Sequence, residues 1–272
     1  MNLNALSSLL ESVTQFQQLQ KSLARTETSA RVQVLANAVP FVFATLSRCL
    51  RGPMLVVAPR AEDARSLYEQ LIIWTGDGDT VLYFPENETL PFERLVSDIE
   101  TTHQRLRTLS RMIDPKDQPC IVVSSATAVA QKSIGRQVFE SSTHTLYKGQ
   151  HIKFKEMIDL WCRMGYMVEP VADAPGLVSR RGGILDIFPV GSSSPVRIEL
   201  WGDEIDSIRL FDPTSQRSTS LVDSVTVIPA QEILPDLTER DQLDRLIDSL
   251  DMSNCTVTAR DRISNELASL LK

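Results

Sequence analysis

Between Leu177 and Arg217 apolar and polar residues alternate with a period of two, a pattern that admits few folds. Successive side chains of a strand point to opposite faces. From Val196 to Trp201, one face carries Val196, Ile198 and Leu200, and the other carries Arg197, Glu199 and Trp201. From Ile205 to Phe211, Ile208 and Leu210 point one way and Ser207 and Arg209 the other. Such alternation predicts an antiparallel meander packed on one side only. Its turns are explicit at Gly182-Gly183, Gly191 through Pro195, and Gly202-Asp203.

The polar face is not a uniform solvated one. Glu199 alone reads as a harmless surface charge. Trp201 on the same face as Arg197 has the composition of a binding hot spot. All five basic residues from Leu177 to Arg217 are Arg, whose planar fork suits carboxylate recognition in a way Lys does not. Arg197 and Trp201 are four apart on one strand. Both are expected to be exposed, roughly 13 Å apart, and replacing them is expected to shift stability by about 0.5 kcal/mol or less.

The rest of the chain reads as strand and helix in alternation. Pro53–Ala58, Thr80–Phe84 and Pro119–Ser124 are short apolar strands; Ala61–Trp74 and Asp98–Ile113 are amphipathic helices, the first with Ala64, Leu67, Leu71 and Ile72 inward. That order predicts a parallel sheet covered on both faces. Short strands dominate from about Thr143 to Val227, with one helix at Phe154–Arg163. Helical patterns return at Glu239–Leu250 and Asp261–Leu271, and Leu6, Leu9, Leu10 and Val13 suggest a further helix within Met1–Leu23. The fold class is α/β, a parallel-sheet domain interrupted by a small α+β domain that contains an antiparallel sheet. The domains are residues 1–142, 143–228 and a return segment, 229–272.

Several function classes lose ground. A net charge of −7 over 272 residues argues against a general nucleic-acid surface. No apolar run approaches a bilayer span, and the N-terminus lacks the basic start of a signal peptide; a cytoplasmic chain is expected. Cys49, Cys120, Cys162 and Cys255 are scattered, with Cys120 and Cys162 expected to be buried thiols. His103, His144 and His151 have no companion acid and nucleophile. Glu86 with Glu88 implies no acid/base pair, and Asp203, Glu204 and Asp206 read as a tight turn rather than a metal cluster. No catalytic residue, metal or cofactor is expected.

The run Arg180-Arg181-Gly182-Gly183-Ile184-Leu185-Asp186-Ile187-Phe188-Pro189, followed by Pro195-Val196-Arg197-Ile198-Glu199-Leu200-Trp201-Gly202-Asp203-Glu204-Ile205-Asp206 and on to Gln216-Arg217, resembles the UvrB-homology module of the bacterial transcription-repair coupling factors. Phe84 through Phe92, Lys148-Gly149-Gln150, Gly165-Tyr166 and Ile228 through Glu232 fit the same family, so the resemblance spans about residues 30 to 235. It implies a helicase-like first domain with a degenerate P-loop. It also implies a small domain that binds the repair protein UvrA, with RNA polymerase and DNA engaged only by other domains of the whole factor. The family's contact positions fall on Arg181, Arg197 and Trp201, the last usually Phe; Arg180, Glu199 and Arg209 are possible additions. Arg181 would have to reach that face from a neighbouring strand.

A working P-loop needs glycines whose amides cradle phosphates, and a Lys. At the corresponding place, Leu35 to Pro40, there is neither, and the strand Ile121-Val122-Val123 runs into Ser124-Ser125 where a Walker B acid would stand. The non-enzymatic reading therefore leads. The alternative is a UvrB-like DNA-damage-handling ATPase fragment.

Overall fold

The structure, a computed structural model, describes residues 3–24, 29–50, 52–87, 98–113, 120–234 and 249–270. The chain divides into two compact units, residues 1–133 and 134–272.

In the first unit, a 3₁₀ turn at Leu3–Leu6 leads to α1 (Ser7–Glu11) and α2 (Thr14–Leu23). The single N-terminal helix expected from the apolar pattern is interrupted, because Val13 adopts an extended conformation. Phe16 is buried, but Leu6, Leu9 and Val13 are exposed. After α3 (Val39–Cys49), with Pro40 in its first turn, come β1 (Met54–Ala58), α4 (Ala61–Thr75), β2 (Val81–Phe84), α5 (Ile99–Ile113), β3 (Ile121–Ser125) and α6 (Ala126–Ala130). The three strands are parallel in the order β1-β3-β2. The central β3 is buried at every position, as its unbroken apolar run requires. Val56, Val81, Ile121 and Val123 form one core with Ala64 and Leu71 of α4; Leu82, Phe84 and Val122 form another with Ala128 and Cys120. On β1, the edge strand, Leu55 and Val57 stay exposed.

At the carboxyl end of β2 the backbone is held by side chains. Arg105, fully buried, lays its guanidinium over the Phe84 ring at 4.1 Å and donates to the Pro85 carbonyl at 2.8 Å. Ser125 Oγ donates to the Glu86 carboxylate at 3.1 Å while capping α6. Glu88, the other member of the weighed carboxylate pair, lies outside the described residues, as do Thr89 to Phe92 and most of the helix expected at Glu239–Leu250.

In the second unit, α7 (Arg136–Ser142) precedes β4 (His144–Tyr147), followed by α8 (Phe154–Arg163) and β5 (Met167–Val168). Then come β6 (Leu177–Arg181), β7 (Ile184–Ile187), β8 (Val196–Trp201), β9 (Glu204–Phe211), β10 (Ser218–Val222), β11 (Ser224–Val227) and, later in the sequence, α9 (Val257–Leu270). The six-stranded sheet runs β10-β9-β8-β7-β6-β5, antiparallel except between β5 and β6; β4 and β11 form a separate pair. Leu185, Ile198 and Ile208 on the apolar face are fully buried. A bulge between Glu199 and Leu200 sets Leu200 opposite Ile205 and keeps Ile205 inside.

The short motifs are explained by packing. Gly149 has φ +82° and lays its backbone on the start of β9: its N–H donates to the Ile205 carbonyl at 2.8 Å, and Ile205 donates to the Gln150 carbonyl at 2.9 Å. Gly165 has φ +92°, and a Cβ there would stand 2.6 Å from Gln231 Cγ. Next to it the buried Tyr166 hydroxyl donates to the Ile228 carbonyl at 2.9 Å and accepts from the Val190 N–H at 3.2 Å. Thus the Gly165-Tyr166 and Ile228-to-Glu232 motifs are two halves of one contact. Cys120 is buried, but Cys162 is exposed. It follows Trp161, which takes the inward position of α8, so the next residue turns outward.

Trp161 Nε1–H donates to His144 Nε2 at 3.1 Å, and His144 Nδ1 lies 3.3 Å from the Ser142 carbonyl. This arrangement needs a neutral ring with its proton on Nδ1. Burial lowers the pKa of His144 below the usual value, as it does for His103. The unfolded chain therefore binds more protons below pH about 6.5, and stability is lost as pH falls through that value. Thermal melts between about pH 7.5 and 5.5 are expected to show a falling Tm, with a shallower fall for His144→Gln, which keeps the acceptor and cannot be protonated. A parallel fall in both proteins would show that His144 contributes nothing to it. Gly165→Ala is expected to cost at least about 1 kcal/mol, read by denaturant melts, because it combines a strained φ with a collision.

Candidate protein-binding face of the six-stranded sheet

The polar face is built row by row from the strand register. One row crosses the sheet as Ser179, Asp186, Arg197 and Arg209; the next, toward the hairpin tips, as Arg181, Ile184, Glu199 and Ser207. Period-two alternation puts these on one side. Two two-residue turns, Gly182-Gly183 and Gly202-Asp203, close the hairpins at the same end. Gly182 and Gly202 take φ +58° and +63° at the first central position, as a type II′ turn requires. The Leu200 N–H donates to the Gly183 carbonyl at 3.0 Å, which ties one tip to the other.

In the middle of this face Asp186 is buried, with its side chain 2% exposed, and Arg197 covers it. Arg197 Nε and Nη2 each donate to an Asp186 carboxylate oxygen at 2.8 Å. Nη1 donates to the Gln216 carbonyl at 3.2 Å, and the guanidinium carbon stands 4.7 Å from the centre of the Phe211 ring. The hydrogen bonds to Asp186 hold the Arg197 pKa above its ordinary value. The expectation that Arg197 is largely exposed is therefore corrected: its side chain is 16% exposed and fully engaged. The cover comes from the loop at residues 212–217 and from Phe211, which shares the polar face although it is apolar and buried. Alternation along β9 places Phe211 on the face of Ser207 and Arg209, but the strand pattern had no signal for the loop.

The other candidates separate cleanly. Trp201 is 83% exposed at the tip of the β8–β9 hairpin. Arg181 is exposed at the tip of the β6–β7 hairpin and donates through Nη2 to the Pro170 carbonyl at 3.2 Å. It comes from two strands away, since β7 lies between β6 and β8; strand spacing puts Arg181 and Trp201 roughly 12 Å apart at Cα. Glu199 and Arg209, both half-exposed, are bridged by Ser207, whose hydroxyl donates to Glu199 at 2.8 Å and accepts from Arg209 Nε at 3.3 Å. Arg180 points the opposite way, with its guanidinium 4.8 Å from the Phe154 ring of α8. The polar face thus has a rigid, internally satisfied centre and an exposed rim of Trp201, Arg181 and Glu199. Among the described residues no group of three or more His, Cys, Asp or Glu is placed to hold a metal ion, and no helix is long and apolar enough to cross a membrane.

Residues 145–233, which contain this face, match the family described as the UvrB interaction domain. The chain is similar to the transcription-repair-coupling factors of Myxococcus xanthus, at 32% identity over 77% of this chain, and of Bacillus subtilis, at 32% over 67%. It is also similar to that of Escherichia coli, at 28% over 68%. It spans less than a fifth of each of these relatives, 18%, 15% and 16% of their lengths.

Arg197→Ala would leave Asp186 buried without its counter-charge and is expected to destabilise by about 3 kcal/mol or more, measured by chemical denaturation. A paired Asp186→Leu/Arg197→Leu variant is expected to recover most of that loss. Trp201→Ala is expected to stay within about 0.5 kcal/mol of the parent. If Arg197→Ala proved as benign as Trp201→Ala, the buried-pair description would be wrong.

Proposed function

The chain belongs to the family of transcription-repair-coupling factors, and on that premise we propose that it is a non-catalytic recruiting module whose small domain binds UvrA through the polar face of the six-stranded sheet. The observation that carries this reading is Trp201. A large aromatic ring 83% exposed at a hairpin tip, on the same face as Arg181, has the composition of a binding hot spot. In the proposal Trp201 and Arg181 make the direct contacts. Arg197 offers the outer edge of a guanidinium already fixed by Asp186, and Glu199 and Arg209 flank it. Arg180, on the opposite face, takes no part.

The first domain, residues 1–142, is on the same reading a helicase-like scaffold without nucleotide chemistry, with residues 229–272 as its return segment. The sequence from Leu35 to Pro40 supports this, since it has no glycine to bring backbone amides to a phosphate and no Lys to meet one. RNA polymerase and DNA would be engaged by other parts of the longer protein, in the cytoplasm.

The test is a binding titration with purified UvrA. Arg181→Glu and Trp201→Ala are each expected to weaken binding by about 2 kcal/mol, close to thirtyfold, with unchanged melting curves. Full affinity in both variants would defeat the assignment of the face. Calorimetry with ATP and magnesium is expected to show no binding; a micromolar Kd would return the ATPase-fragment reading to first place.

A further inference from the structure

Gln216 is the only residue other than glycine with a positive φ among the described residues, at +59°. That conformation is unfavourable for a side chain without the local hydrogen bonding that Asn and Asp provide. The position carries a second cost, because its side-chain Oε1 is buried with no hydrogen-bond partner. Strain of this kind persists only where the surroundings over-determine it. Here they do. The Gln216 N–H donates to the Asp212 carbonyl at 2.8 Å, its Nε2 donates to the Pro213 carbonyl at 2.7 Å, and Asp212 N–H donates to the Arg217 carbonyl at 2.9 Å. Asp212 Oδ1 accepts from the Ser215 N–H at 2.6 Å. The result of this knotted turn is a single outward product: the Gln216 carbonyl aimed at Arg197 Nη1.

We propose that Gln216 is a positioning residue for the recruiting face, whose left-handed backbone presents a carbonyl that holds the Arg197 guanidinium in place over Phe211. The inference rests on the UvrA-binding reading. Asp186 alone occupies Nε and Nη2 and leaves the head free to tilt about that edge; the third bond, on Nη1, removes the tilt. A guanidinium fixed before encounter loses less freedom on binding than a mobile one.

The experiment compares Gln216→Val, Gln216→Asn and Gln216→Gly in the whole chain. Val disfavours a positive φ strongly, whereas Asn and Gly accept it and keep the carbonyl in place. In arginine-¹⁵N-labelled protein, rotation about the Arg197 Nε–Cζ bond is expected to be about tenfold faster in Gln216→Val than in the parent, and near the parent rate in the other two. UvrA affinity is expected to follow the same order, about tenfold weaker for Val only, with the Tm of all variants well above the assay temperature. Unchanged rotation in Gln216→Val, or equal losses of affinity in all three variants, would overturn the proposal. If the parent chain does not bind UvrA at all, the recruiting function falls, and the rotation rates by themselves still decide whether Gln216 locks Arg197.

Discussion

The second unit is organised around a carboxylate taken out of water. Asp186 sits in the middle of a sheet face, too deep for hydration and too central for its strand to turn away. Such a charge is tolerated only when matched by an opposite charge with good geometry. Arg197, directly across on β8, supplies both bonds of a bidentate fork, and this fixes β7 against β8 in one register. A one-residue slip would send Arg197 to the apolar face and bury two unpaired charges. The pair therefore does more than add attraction: it makes every alternative pairing of these strands expensive. From that register follow the two hairpin tips at one end, and with them the placement of Arg181 and Trp201.

The division of labour on the polar face follows from burial. At the centre, where hydration is poor, polar groups satisfy each other: Asp186 with Arg197, Arg197 with Gln216, and Ser179 with the Pro170 carbonyl at 2.8 Å. At the tips, where water is available, Trp201 and Arg181 need no such closure and remain open to a partner. A firmly bonded middle with an exposed rim suits the recruiting role proposed for this face.

Most of the architecture was legible because it is written in local periods. The strands at β1, β2 and β3 and the helices α4, α5 and α8 fell within a residue or two of expectation, and so did the meander from β6 to β9. What was illegible depended on chain segments without a period. The cover on Arg197 is made by the turn from Asp212 to Gln216, whose path rests on one left-handed residue, and alternation along β8 carries no trace of it. The same pattern shows Arg197 and Trp201 as equivalents four residues apart, while the structure makes one a half-buried strut and the other an exposed tip. Cys162 was misjudged because its apolar neighbours, Trp161 and Met164, take the inward positions. The break at Val13 escaped notice because the apolar spacing continues across it, although those apolar side chains are left exposed. The glycines at 149 and 165 could be seen as motif residues; that one lies against β9 and the other against Gln231 could not.

The first unit carries a different kind of exposure. Among the described residues, β1 is paired only with β3, so the backbone groups along its outer side have no strand beside them, and Leu55 and Val57 stand exposed on the same element. An apolar strand with an open flank is a template for any other extended chain. A Lys placed at position 55 or 57 would act as a gatekeeper against such pairing. This open edge lies on a strand remote in sequence from the residues proposed to recognise a partner.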